Sequence, residues 1–287
     1  MITGYLMMLL SAVIWGFAFV AQKTSMEVMG PFTFNMARFV LGASCLVLLL
    51  PFIKSQAGRL GKEGWMAGLW MGVVIFLGSI TQQIGIVTTT AAKAAFITGL
   101  YIVLVPIILA FLGQALSRVV WWAAAISVFG LYLLSMQGVQ VVPVVGDFWV
   151  LLSAFLFALH IIVVGKYSRL HDPLKLSIVQ FYICAVFSAI GMFILEVPSI
   201  EGIKAGGLEI LYAGVLSVGI AYTLQVFAQK RVPSHTAALV LSLEIVFGAI
   251  GGIWLLGEQM TRPMLIGGGL MFAAILLAQY QGKQASD

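Results

Sequence analysis

The chain has 287 residues, of which 62% are hydrophobic and only 9% charged, with a formal net charge of +5. A soluble domain carries about 25% charged residues, and one this apolar would expose patches that aggregate in water, so a soluble globular fold is excluded. The basic residues stand in ones and twos between apolar runs rather than in a stripe, which excludes nucleic acid as a partner and leaves the lipid bilayer.

A helix crosses the ~30 Å hydrocarbon core in about 20 residues, and charges and turn residues cut this sequence into pieces of that length. The first stretch, 3–22, has no basic residues before it and no small-residue cleavage site after it, so it is expected to stay as a span. Spans are then predicted at 32–53, 65–87, 92–113, 119–136, 147–165, 174–195, 209–228, 236–256 and 263–281. These runs are apolar on every face, whereas barrel strands would alternate over ~10 residues, so helices are predicted. The connections are short and leave no room for a soluble domain; any chemistry must sit among the helices. The Lys/Arg distribution sets the orientation. With the N-terminus in the cytoplasm, Lys54, Arg59, Lys62, Arg118, Lys166, Arg169, Lys175, Lys230, Arg231 and Lys283 fall on the inner side. Lys23, Lys93, Lys204 and Arg262 fall outside, so both termini are expected in the cytoplasm.

The two halves of the chain resemble each other in register. Leu9-Leu10-Ser11-Ala12 returns as Leu151-Leu152-Ser153-Ala154, and Pro31 as Pro173, both at an offset of 142. Arg38-Phe39 aligns with Gln180-Phe181, and Gln83 with Gln225, at the same offset. Ala94-Ala95 returns as Ala237-Ala238 at 143, and Gly113-Gln114 as Gly257-Glu258 at 144. Each half holds five spans, an odd number, so the second copy enters the membrane from the opposite side. The predicted fold is therefore an all-α integral membrane protein with ten transmembrane helices in two inverted five-helix repeats, 1–139 and 140–287. Inverted repeats are frequent in transporters, with the binding site near the midplane between the halves.

The segment Thr90-Ala91-Ala92-Lys93-Ala94-Ala95-Phe96-Ile97-Thr98-Gly99-Leu100-Tyr101, followed by Val105-Pro106, resembles the fourth-helix signature of EamA-type transporters of the drug/metabolite transporter superfamily. The stretch from Ala237 to Glu244, with Leu255-Leu256-Gly257-Glu258 beyond it, resembles the ninth helix of the same family. The family often has proline after that glutamate, where this chain has Ile245. The resemblance implies a bacterial inner-membrane carrier of small metabolites, often amino acids or related compounds and frequently exported.

Candidate site residues follow from where polar groups fall within spans. Glu244 lies nine residues into the ninth span, ~13 Å deep at 1.5 Å per residue. A carboxylate there is costly, so it should face a cavity or a partner, and it is a candidate for binding a substrate amine or a proton. Arg38, in the second span, could take a substrate carboxylate in a bidentate fork, pair with Glu244, or snorkel outward. Tyr101 stands 143 residues before Glu244, so the two should approach the midplane from opposite halves. Trp15 and Tyr222 are candidate aromatic walls. Gln82, Gln83, Gln180 and Gln225 either line a cavity or join helices. His160 is a second candidate proton carrier. Lys93 is read as an interfacial anchor, and Glu258 as a surface partner of Arg262. Gly64, Gly68 and Gly72, and likewise Gly248 and Gly252, should permit close helix packing, and Pro106 should bend the fourth span.

A membrane-embedded enzyme is the competing class. It would need paired carboxylates, a His/Glu metal motif or an activated serine, and the sequence has no H-E-x-x-H and no P-loop. Neither a metal nor a cofactor is expected, and Cys45 and Cys184, each inside an apolar run, read as small buried hydrophobes. A scaffold or sensor would usually carry a soluble output domain. Without an ATP-binding loop, transport would be secondary or passive. The glycine stripes are compatible with a monomer or a homodimer.

Overall fold

A computed structural model of the chain describes residues 2–52, 60–135, 144–256 and 262–284. The expected repeat boundary at 139/140 and Glu258 lie outside the described residues. Helices account for nearly all of the rest: α1 Ile2–Ser25, α2 Pro31–Leu49, α3 Lys62–Thr88, α4 Ala91–Thr98, α5 Tyr101–Phe111, α6 Arg118–Ser135 and α7 Val145–Tyr167. There follow α8 Pro173–Leu195, α9 Ile200–Ala205, α10 Gly207–Leu211, a π-helical stretch Tyr212–Tyr222, α11 Thr223–Gln229, α12 Ser234–Leu241, α13 Glu244–Leu256 and α14 Arg262–Gln284. Among the described residues seven segments are long and apolar enough to cross a membrane, and Arg118–Leu133, Ser234–Ile250 and Leu265–Leu277 are shorter apolar helices. Helices suit lipid because each satisfies its own backbone polar groups. The surface is apolar and the interior partly polar: Phe111 is 88% exposed while Asn35, Gln83, Gln180 and Gln229 are 0% exposed. That is the reverse of a water-soluble protein.

Sequence signals account for the helix starts. Pro31 and Pro173 each occupy the first turn of their helix, where a missing N–H costs nothing. Asp172 caps α8 by accepting from Lys175 N at 3.0 Å. Gly30 offers α2 no side-chain cap. Glu196, at the far end of α8, supplies it instead, accepting from Phe32 N at 2.7 Å and Thr33 N at 2.8 Å. A carboxylate on these unsatisfied amides also meets the positive end of the helix dipole. The C-terminus of α8 therefore lies against the N-terminus of α2, so these two repeat-related helices run antiparallel. The same holds for α6 and α14, where Gly130 late in one packs on Gly267 early in the other.

The packing is itself two-fold. α3 lies along α7, as the π stretch and α11 lie along α1; α2 packs on α8, and α6 on α14. Glycines permit the closest approaches. A Cβ on Gly68 would stand 2.5 Å from Val179, and one on Gly72 would stand 2.5 Å from Ile183, so this stripe seats α3 on α8. A Cβ on Gly16 would stand 2.6 Å from the carbonyl of Glu244, which brings α1 against the start of α13.

Three features depart from the expected spans. The fourth and ninth are each interrupted, the eighth contains the π stretch, and α9 occupies a segment read as connection. The interruption of the fourth span lies between Thr98 and Tyr101, while Pro106 stays inside α5. Proline is not the cause, because the ninth span breaks at the equivalent place with Ala249 where Pro106 stands. At both breaks the backbone tightens to three-residue hydrogen bonds: Leu100 N to Ile97 O at 3.1 Å, and Leu243 N to Val240 O at 3.2 Å. Such tightening in mid-helix often marks a functional hinge.

Candidate functional site

The two broken helices meet at their breaks. Tyr101 is the first residue of α5 and Glu244 the first of α13. The Tyr101 hydroxyl donates to Glu244 Oε1 at 3.1 Å, joining positions 143 apart in sequence. Beside this contact is a cavity of about 40 Å³, walled by α1, α2, α3, α4, α5, α7, the π stretch, α11, α12 and α13. On this measure it holds roughly two or three waters, so a larger occupant requires the walls to separate.

A guanidinium and a carboxyl group line this cavity. Glu244 is 4% exposed, and among the described residues no cation lies within ion-pair distance of it. Arg38 is also 4% exposed, and no carboxylate pairs with it among the described residues. Its Nε and Nη2 donate to Asn35 Oδ1 at 3.1 and 2.8 Å. The guanidinium lies 5.1 Å from the Phe34 ring and 5.3 Å from the Phe39 ring. Asn35 is fixed in turn by donating to Ser188 Oγ at 2.8 Å and Ser79 Oγ at 3.1 Å, which ties α2 to α8 and α3. Arg38 is thus pre-oriented, with bonding capacity left over from its five donors. Tyr222 stands within electrostatic reach of both Arg38 and Glu244. It packs on Trp15 at a centroid distance of 4.5 Å and meets His160 edge-on at 6.0 Å.

Of the residues singled out from the sequence, Glu244, Arg38, Tyr101, Trp15, Tyr222, Gln225 and His160 all line this cavity. Gln83 and Gln180 do not. Gln83 Nε2 donates to the carbonyl of Gln22 at 3.0 Å, and Gln180 Oε1 lies 2.9 Å from His160 Nε2. Both stand behind residues of the wall. Arg38 and Glu244, considered as a pair, do not form one. Gln22, Thr98 and Ser217 also line the cavity and were not singled out. Gln82, expected either to line a cavity or to join helices, lines this one. A signal existed for Gln22, a neutral polar residue near the end of an apolar span, but the adjoining Lys23 makes that end look interfacial.

The π stretch is anchored by α1. Trp15 Nε1 donates to Ser217 O at 3.3 Å, Ser11 Oγ to Ala221 O at 2.9 Å, and Tyr212 Oη to Ile14 O at 2.7 Å. At the end of the bundle where α4 and α7 begin, polar contacts close the structure. Lys93 pairs with Asp147 at 2.5 Å, so the lysine read as an interfacial anchor also joins the two halves. Asp147 further accepts from Thr89 Oγ1 at 2.7 Å and Val144 N at 2.9 Å. Lys23 caps the last carbonyls of α3, reaching Ile86 O at 2.9 Å and Val87 O at 3.1 Å. At the opposite end, a cleft of about 310 Å³ opens between Thr3, Met7, Pro173, Phe227 and Lys230.

The sequence profile of the EamA-like transporter family matches residues 2–136 and again 144–280, once for each half. The chain belongs to the EamA-like transporter family. An uncharacterized transporter of Archaeoglobus fulgidus is 32% identical over 273 residues, covering 93% of this chain and 83% of that protein. The threonine/homoserine exporter RhtA of Escherichia coli is 26% identical over 248 residues, covering 83% of this chain and 78% of the exporter. A crystal structure of a protein 17% identical superposes with a TM-score of 0.79 over 99% of both chains, which shows the shared fold. An EamA-family protein with this helical, lipid-facing exterior is a multi-pass membrane transporter of a small molecule, not an enzyme.

Proposed function

We propose that this EamA-family protein is a secondary carrier of zwitterionic metabolites of the amino-acid type, working by alternating access. One observation carries the reading: a buried guanidinium and a buried carboxylate line a single cavity without pairing with each other. Two ionisable groups without an ion-pair partner are costly to charge inside an apolar bundle, each by several kcal/mol in the general case. A cargo with its own carboxylate and ammonium offsets both costs at once. Its carboxylate would take the unused donors of Arg38 and its ammonium would meet Glu244, with Trp15 and Tyr222 as walls.

The carrier has ten spans in two inverted five-helix repeats. The antiparallel course of α2 and α8, and of α6 and α14, supports the inversion, because helices related by a two-fold axis in the membrane plane must point opposite ways. The Lys/Arg bias supports cytoplasmic termini in a bacterial inner membrane. The ion pair at one end and the cleft at the other support an inward-facing or occluded state. The relative named as a threonine/homoserine exporter supports amino-acid cargo and the export direction. Glu244 is the coupling proton site, with His160 the next candidate.

The test is counterflow of labelled amino acids into liposomes holding the purified protein, with and without a pH gradient. The expected result is accumulation of zwitterions, with little competition from a matched carboxylic acid or a matched amine alone. Acids or amines carried as well as zwitterions would refute the two-charge reading.

A further inference from the structure

We infer that Gln22 is a specificity-determining residue, which selects cargo carrying a hydrogen-bond donor on its side chain over apolar cargo of the same shape. The inference rests on the zwitterion-carrier reading of the same cavity and goes beyond it to the cargo's side chain.

Gln22 lines the cavity and is 5% exposed, yet its side-chain oxygen is buried with no hydrogen-bond partner. Its backbone, in contrast, is held firmly. The carbonyl of Gln22 is one of the last four of α1 and would lack a helical partner. It accepts instead from Ser25 Oγ at 2.9 Å and Gln83 Nε2 at 3.0 Å. The backbone is therefore positioned while the carboxamide is left open. A rigid stem carrying an unsatisfied polar head is the arrangement expected of a group kept for a ligand.

A second carboxamide in the wall repeats the pattern. Gln225 is 1% exposed, and its Oε1 is also buried without a partner. Its orientation is set by a chain of bonds. Gln229 Nε2 donates to the carbonyl of Ile161 at 2.7 Å, which turns Gln229 Oε1 toward Gln225 Nε2 at 3.0 Å. Gln225 must therefore present its nitrogen to Gln229 and leave its oxygen unpaired. The cavity thus holds two acceptors in want of donors.

Water does not remove the selectivity. The cavity has room for a few waters, which would supply donors. Cargo entering it displaces them. A cargo hydroxyl or amide replaces the lost donor, whereas an aliphatic group strips the water and leaves a buried acceptor unpaired. Sites built to hydrogen-bond a cargo group discriminate strongly against the analogue that lacks it.

The experiment compares isosteric pairs in proteoliposome counterflow: L-threonine against L-valine, and L-asparagine against L-leucine. In the unaltered protein the donor-bearing member of each pair is expected to be carried on the order of tenfold better, as for one hydrogen bond in a buried site. Gln22→Met should bring that ratio to about threefold or less, chiefly by raising transport of the aliphatic member. Equal transport within both pairs by the unaltered protein overturns the inference while leaving the zwitterion reading standing. So does a ratio unchanged in Gln22→Met. Transport of none of the four overturns the carrier reading and this inference with it. Gln22→Leu makes the same comparison if Gln22→Met fails to fold.

Discussion

Replacing Glu244 by glutamine separates its two possible roles, because the substitution removes the charge and keeps the shape. In the structure Glu244 Oε1 accepts from the Tyr101 hydroxyl at 3.1 Å, and an amide oxygen in the same place can accept the same bond. No ion pair is lost among the described residues. The stability change is therefore expected to stay within about 1 kcal/mol, a shift of roughly 2–4 °C in thermal midpoint on the soluble-protein scale. Binding should respond quite differently. A charge-assisted bond to a cargo ammonium contributes about 1.5–3 kcal/mol. At 1.4 kcal/mol per decade its loss weakens binding by about 10- to 140-fold. Titration calorimetry in detergent measures the affinity, and counterflow at several pH values measures coupling. Glu244→Gln should fold, bind weakly, lose uptake driven by a proton gradient and lose the pH dependence of exchange. Unchanged affinity would refute the ammonium-binding role. Wild-type pH dependence persisting in the variant would remove Glu244 from coupling and leave His160 as the next candidate.

Two other substitutions probe the framework around the site. Gly16→Ala places a methyl group 2.6 Å from the carbonyl of Glu244 and 2.7 Å from the nitrogen of Gly248, neither of which can move without shifting α13. Overpacking of this kind costs about 1–3 kcal/mol, offset by up to about 1 kcal/mol of helix propensity, so a lower thermal midpoint and slower transport are expected; a stabilised protein with normal transport would contradict the tight α1–α13 contact. Asp147→Asn removes the charge that pairs with Lys93, while the single amide oxygen can still accept from Val144 N. That end of the bundle should open more readily, seen as alkylation of a cysteine placed at Thr98 several-fold faster than in the unaltered background; unchanged labelling would mean that the pair does not hold that end closed.

The sequence alone determined that the chain lives in a bilayer, because 9% charged residues cannot cover a water-facing surface. It also made the two halves visible. The offset of 143 between Tyr101 and Glu244 marked them as equivalent positions of the two halves, which meet when both lie near the axis that relates the repeats. What it could not supply was which face of each helix turns inward. In lipid the outward face is as apolar as the packed one, so the hydrophobic period that orients a soluble helix is absent. The sequence therefore gives no reason to single out Gln22, leaves open whether Gln83 lines the cavity or joins α3 to α1 as it does, and cannot tell that Asn35 rather than Glu244 takes the bonds of Arg38. The breaks at Gly99–Leu100 and Ser242–Leu243 and the π stretch from Tyr212 were likewise decided only in three dimensions. A five-residue, four-residue or three-residue hydrogen bond differs little in local energy. The choice falls to neighbours such as Trp15 and Ser11, whose side chains reach carbonyls about 200 residues away in sequence.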